Sequence, residues 1–228
     1  EILIGLVGSE MCIRDSVHVI VTENAYIPVW GTYITTPTAT KEFAKVNVQT
    51  KIVLPEGADA SKYSVKTSVW NPNGQKLTEQ TIPLSQIKYN DNSLSQEFII
   101  QTPTLWSPDM PALYSAETRL YEGDQLKDIY TTPFGIRSIE IIPNKGFFLN
   151  GEKTVFKGVC NHHDLGPLGA AVNDAAIRRQ IRILKDMGCN AIRTSHNMPA
   201  PELVRACDEM GMICLLYTSP SPRDRSVS

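Results

Sequence analysis

Three things are missing from this sequence, and each absence removes a class of protein. The five cysteines, Cys12, Cys160, Cys189, Cys207 and Cys214, show neither C-x-x-C spacing nor the density of a disulfide-stapled domain. They read as free thiols, most of them packed as small apolar side chains. No apolar run approaches the ~18 to 20 residues that a membrane-spanning helix requires, so no membrane partner is expected. Charge is nearly balanced, with 24 acidic and 22 basic residues and no basic stripe. Without a stripe there is nothing to neutralise a phosphate backbone, and nucleic acid is a poor partner.

What is present begins with two ends unlike the middle. Glu1–Ser16 carries no cationic region ahead of its short apolar stretch and makes a poor signal peptide. Tyr217–Ser228 is a Pro/Ser-rich polar run that cannot bury enough apolar area to offset its ordering entropy. Val7-Gly-Ser-Glu-Met-Cys-Ile-Arg-Asp-Ser16 and Leu215-Leu-Tyr-Thr-Ser-Pro-Ser-Pro-Arg-Asp224 resemble translated adapter sequence. Residues 1–16 and 215–228 are therefore set aside as an artefactual or disordered leader and tail, and the true termini and any export signal are expected to lie elsewhere.

Between these ends the hydrophobic period changes once. Val46, Val48, Thr50 and Ile52 alternate with polar residues, as do Tyr63, Val65, Thr67 and Val69, which is the signature of half-buried strands. Asn71-Pro-Asn-Gly74 should reverse the chain, and further alternating runs occupy Leu94–Ile100 and Ala112–Tyr121. Short strands with turns between them predict an antiparallel β-sandwich. Beyond it, Thr154–Cys160 reads as a buried strand. A helix N-capped near Asn173 follows, with Ile177, Ile181, Leu184 and Met187 on one face and Gly188 closing it. A second strand, Asn190–Thr194, a helix opened by Pro199 and Pro201, and a third apolar run at Met212–Leu215 complete the series. Strand and helix in alternation predict parallel strands, the unit of a β/α barrel or a doubly wound sheet. No G-x-G-x-x-G follows the first of these strands, which favours the barrel.

In either architecture the reactive groups collect beyond the carboxyl ends of the strands. Asn161-His162-His163-Asp164 lies there after one strand and Arg193-Thr-Ser-His196-Asn197 after the next. A metal-dependent hydrolase using His162, His163, Asp164 and His196 is one reading of that set. Adjacent residues on an extended strand point to opposite faces, however, so His162 and His163 cannot both face a barrel axis. No metal and no cofactor is assigned.

The order of motifs carries a resemblance. Phe134-Gly-Ile-Arg137, Gly146-Phe-Phe-Leu-Asn-Gly151, Phe156–Asp164, Gly188–His196 and Cys207-Asp-Glu-Met-Gly211 follow one another as in glycoside hydrolase family 2, which contains β-galactosidases and β-glucuronidases. Trp30-Gly-Thr-Tyr33, Thr36-Pro37 and Leu105–Pro111 look like the start and a late strand of that family's immunoglobulin-like domain. The resemblance implies an internal fragment. Residues 17–33 would be the last strand of a sugar-binding jelly-roll domain and a linker, 34–137 an immunoglobulin-like β-sandwich, and 138–214 the beginning of a (β/α)8 TIM barrel. It also implies substrate-binding roles. His162 matches the family's histidine at the end of the first barrel strand, and Asp164 falls where glucuronide-cleaving members place an aspartate. Arg193 matches the arginine beside the nucleophilic carboxylate, and His196 a histidine that contacts the sugar. Asn197 stands where a tyrosine often follows that histidine, and Cys160-Asn161 replace the commoner Asn-Arg pair.

Retaining glycosidases need two carboxylates about 5 to 5.5 Å apart. The resemblance places both glutamates on later barrel strands, and Glu202 and Glu209, on the second predicted helix, have no claim to either role. The expected activity of the parent is exo-acting hydrolysis of a β-linked glycoside, β-galactoside first and β-glucuronide or β-mannoside as alternatives. A homo-oligomeric parent is compatible with it, and the isolated chain is expected to be inactive. A rival from another class is a non-catalytic sandwich that binds carbohydrate or protein. It requires an aromatic platform, whereas Trp30, Trp70 and Trp106 are well separated and expected to pack in strands or boundaries.

Overall fold

The computed structural model describes residues 19–86, 93–162, 165–169, 171–194 and 199–216. The segments set aside at the two ends, apart from Leu215 and Leu216, lie outside these residues. The chain divides into two compact units, Ile20–Thr154 and a second that begins at Val155.

The first unit holds β1 (Thr32–Ala39), β2 (Phe43–Lys51), β3 (Tyr63–Trp70), β4 (Lys76–Pro83), β5 (Ser93–Gln101), β6 (Tyr114–Glu122) and β7 (Gln125–Phe134). They form two antiparallel sheets, β1-β2-β5 and β4-β3-β6-β7, the sandwich that the alternating runs predict. The Asn71–Gly74 turn forms as expected, with the Gly74 N–H on the Asn71 carbonyl at 3.0 Å and Gly74 at φ 78. β1 and β4 have no clear apolar alternation of their own. Both are edge strands, and together with the edge strand β7 they carry all three strand prolines, Pro37, Pro83 and Pro133. Proline cannot donate to a ladder, and an edge is where that omission costs least.

Inward side chains of both sheets meet in two apolar clusters with a polar layer between them. Val46, Val48, Val69, Phe98, Ile100 and Ala116 belong to one cluster, and Ile52, Tyr63, Val65, Leu94 and Leu120 to the other. On β2, β3, β5 and β6 the intervening inward residue is polar: Thr50, Thr67, Gln96 and Thr118, all at or below 1 % exposure. The Thr67 hydroxyl donates to Gln96 Oε1 at 2.6 Å and lies 3.3 Å from the Thr118 hydroxyl, while Gln96 Nε2 donates to the Gln80 carbonyl at 3.1 Å. Only the Thr50 hydroxyl among these has no hydrogen-bond partner.

Three of the recognised motifs converge on one side chain. Trp106 is 1 % exposed, its backbone N–H donates to the Ile136 carbonyl, and the Arg137 guanidinium lies 4.8 Å from its ring centroid. Gly135 is glycine because a Cβ there would meet Trp106 at 3.0 Å. A small sheet follows, β8 (Ile139–Ile142), β9 (Gly146–Leu149) and β10 (Glu152–Lys153). At its turn Asn150 adopts φ 53, donates through Nδ2 to the Trp106 carbonyl and accepts the Ser138 N–H, each at 3.0 Å. Trp70 is half-buried. Trp30 departs from the expected packing: it is 74 % exposed at φ 59, in a turn closed by the Gly31 N–H on the Pro28 carbonyl.

The second unit contains β11 (Gly158–Asn161), α1 (Asp174–Asp186), β12 (Ala191–Thr194), α2 (Pro201–Met210) and β13 (Ile213–Leu216). β11, β12 and β13 pair in parallel in that order. The first strand begins four residues later than its apolar pattern predicts and is mostly exposed, because it is an edge strand in this sheet. Met187 is also exposed rather than on the apolar face, since α1 ends at Asp186 and Gly188 turns the chain at φ 86. Among the four described cysteines, all free, only Cys207 is buried, which revises the expectation for most of them.

Candidate functional site

The parallel sheet is assembled around Asn190. Its Nδ2 donates to the Val155 carbonyl at 2.9 Å and its Oδ1 accepts the Lys157 N–H at 2.8 Å. Its backbone N–H donates to the Lys157 carbonyl and its carbonyl accepts the Ile213 N–H, both at 2.8 Å. One residue thus ties the entries of all three strands. Gly158 then lies so close to β12 that a Cβ there would clash with the Ala191 carbonyl oxygen.

The helices cover one face of this sheet. Asn173 caps α1 by accepting the Ala176 N–H, Pro201 opens α2, and Gly211 closes it at φ 73. Ile177 and Ile181 of α1, Ile192 of β12, Ala206 and Cys207 of α2, and Met212 form the buried cluster. Arg178 links the helices by pairing with Asp174 and Glu209, each at 2.7 Å, and the two carboxylates hold its pKa above the ordinary value. Lys185 Nζ donates to the Met210 and Gly211 carbonyls at 2.6 and 3.2 Å, capping the end of α2 from α1. Contact with the Cys214 sulfur, together with burial, pushes the Cys207 thiol up, so it stays protonated.

The other face carries the candidate chemistry. Cys160 pairs in register with Arg193, and Arg193 Nη1 donates to Cys160 Sγ at 3.6 Å, so both side chains lie opposite the helices. Asn161 instead reaches Gln180 of α1, with Asn161 Nδ2 to Gln180 Oε1 at 3.0 Å and Gln180 Nε2 to Asn161 Oδ1 at 3.2 Å. Strand alternation carried one residue past the carboxyl end of β11 would put position 162 on the Cys160–Arg193 face. His162 is exposed. Asp164, His196 and Asn197 lie outside the described residues, as does His163 of the metal reading. Among the described residues no group of three or more side chains could hold a metal ion. The sequence pattern did not single out Asn190 or Gln180. Gln180 left a signal: it is polar beside Ile177 and Ile181, on the helix face that packs on the sheet.

An antiparallel sandwich followed by parallel β/α units, with cationic and imidazole groups at the strand ends, defines the class: a β-sandwich joined to the first strands and helices of an incomplete (β/α)8 barrel. The profile of glycosyl hydrolases family 2 matches residues 26–137, and that of the family's TIM barrel domain matches residues 140–218. The chain belongs to glycoside hydrolase family 2.

It is similar to a β-galactosidase of Bacteroides ovatus, 42% identical over 186 residues that make up 82% of this chain and 22% of that protein. It is similar as well to a β-glucuronidase of Streptococcus agalactiae, 38% identical over 111 residues, 49% of this chain and 18% of the relative. Among solved structures, a family 2 member from Bacteroides cellulosilyticus superposes with a TM-score of 0.77 at 37% identity, over 85% of this chain and 25% of that one. The chain spans about a fifth of the length of the curated relatives it matches.

Proposed function

We propose that this chain supplies part of the sugar-binding rim of a retaining exo-β-glycosidase that acts on β-galactosides. In this reading His162 and Arg193 touch the substrate sugar together with Asp164, His196 and Asn197. The sandwich of residues 34–137 serves as the immunoglobulin-like support, and 138–214 begins the catalytic barrel. The observation that carries it is the register of β11 on β12, which sets Cys160 against Arg193; with Asn161 turned to α1, the alternation of side chains supports His162, two residues past Cys160, on the Arg193 face. Galactoside is preferred over glucuronide on the identity of the match to the galactosidase, 42% over 186 residues, against 35% and 28% for glucuronidases that match over a similar share of the chain. β-Glucuronides and β-mannosides are the alternatives.

The same reading makes the isolated chain inactive. The glutamates that the family uses as acid/base and nucleophile are not matched by any residue here, and Glu209 is committed to Arg178. The purified chain should not hydrolyse 4-nitrophenyl β-galactoside, and turnover abolished by Glu209→Gln would overturn this account. Saturation-transfer NMR with methyl β-galactoside, β-glucuronide and β-mannoside should give the strongest signal for the galactoside, reduced in Arg193→Ala. A stronger glucuronide signal would move the assignment to that alternative.

A further inference from the structure

The end of β11 carries a feature that neither the core nor the sugar reading uses. Position 180 falls on the face of α1 that packs on the sheet, between Ile177 and Ile181, where an apolar residue would continue the stripe. A half-buried amide there is costly unless it is satisfied. It is satisfied by one partner, Asn161, through two reciprocal hydrogen bonds of 3.0 and 3.2 Å. The neighbouring strand ends on the same rung in a similar way. Thr194, opposite Asn161, is 3% exposed and its hydroxyl donates to the Leu215 carbonyl at 3.4 Å. The last helix-side rung is thus polar on both strands and fixed by hydrogen bonds.

This rung decides where the next residue points. Side chains alternate along a strand, so holding Asn161 on the helix face holds position 162 on the face of Cys160 and Arg193. A rotation or a one-residue slip at Asn161 would send the imidazole to the wrong side. Among the described residues β11 is an edge strand paired with β12 alone, so its own ladder resists such a slip weakly. The clasp to α1 supplies the second restraint.

We propose that Gln180 is a positioning residue: with Asn161 it forms an amide clasp that fixes which face of the sheet His162 presents. The proposal rests on the sugar reading only for the purpose of that placement, not for its existence.

The test uses the full chain with isotope-labelled histidine. Gln180→Leu removes both hydrogen bonds at similar size. The β12 and α1 amides should keep their protection, while the His162 ring signals shift and exchange at the Asn161 amide accelerates about tenfold, as the loss of a net hydrogen bond of ordinary strength implies. The amide swap, Asn161→Gln with Gln180→Asn, keeps the summed side-chain length and should restore both readings. General destabilisation would not be rescued in this way. Should Gln180→Leu fail to fold, Gln180→Glu, which can still accept from Asn161 Nδ2, should give an intermediate shift. Unchanged His162 signals in any folded single variant overturn the proposal, and so does failure of a folded swap to restore them. Adding methyl β-galactoside to the unmodified chain reads the sugar assignment separately: no saturation transfer counts against that assignment, while the His162 signals alone decide the clasp.

Discussion

At the scale of single residues, the best-defined electrostatic feature lies far from the rim. Glu79 on β4 accepts from Lys66 at 2.7 Å, Ser68 at 2.8 Å and Lys76 at 3.0 Å. With Lys66 and Ser68 as the leading causes, these partners lower its pKa from the ordinary 4.5 to about 2. A depressed carboxylate stabilises the fold fully above the unfolded value and loses that contribution as pH falls. The sandwich should therefore lose melting temperature between about pH 4.5 and pH 2, and Glu79→Gln should flatten that part of the profile while lowering stability at neutral pH. Melting followed by circular dichroism across this range checks it; an unchanged slope in the variant would remove Glu79 as the cause. At the rim the strand that carries Arg193 was plain in the sequence, whereas its register against Cys160 was not, because pairing partners are set by strand stagger that spacing along the chain does not report. Gln180 and Asn190 were not legible as site-building residues, because their work is done by side-chain amides reaching other elements, and spacing along a chain does not report that.

At the scale of elements, legibility followed burial. β2, β3, β5 and β6 each put an inward row into the core and so announced themselves by alternation. β4 is exposed at most positions and has no such row, and it was invisible for that reason. The inward rows also conceal the polar layer, since threonine suits a strand whether it faces solvent or core. That layer makes a sharp prediction. Gln96→Leu alone strands the Thr67 hydroxyl and the Gln80 carbonyl and should cost about 1–3 kcal/mol. Replacing the layer together, as Gln96→Leu with Thr67→Val and Thr118→Val, removes the unsatisfied hydroxyls, leaves the Gln80 carbonyl, and should recover part of that loss. Urea denaturation of the single and triple variants decides it: a triple variant weaker than the single one would show that the layer stabilises rather than merely satisfies itself. In the parallel sheet the corresponding element-level constraint is steric. Gly158→Ala should push β11 from β12 and abolish amide protection at Val159–Asn161, with β12 and β13 still protected in hydrogen exchange. Retained protection at those residues would mean that the strands can separate without losing their pairing.

At the scale of the whole molecule, the family's sequence division and the physical division fall at different places. The sandwich profile ends at residue 137 and the barrel profile begins at 140, yet the compact unit that contains the sandwich runs to Thr154. The reason is the small sheet of β8, β9 and β10. Its turn residue Asn150 bonds the Trp106 carbonyl and the Ser138 N–H, and Leu149 is 4% exposed. Trp106 is the side chain on which Gly135 and Arg137 also pack, so the segment after the sandwich completes the surroundings of one of its buried anchors. A truncation covering residues 20–138 should still fold, because both apolar clusters of the sandwich lie within it. A truncation covering residues 20–154 should melt higher. Two hydrogen bonds and a buried leucine, at about 1 kcal/mol for each bond and about 1.5 kcal/mol or more for the side chain, amount to several kcal/mol. At about 4 °C per kcal/mol, where the ranges for smaller and larger domains meet, a difference of about 10 °C or more should appear in calorimetry. Asn150→Ala in the longer piece should recover part of that difference in the downward direction. Equal melting temperatures for the two truncations would place the boundary at Ser138 and reduce the small sheet to a connection.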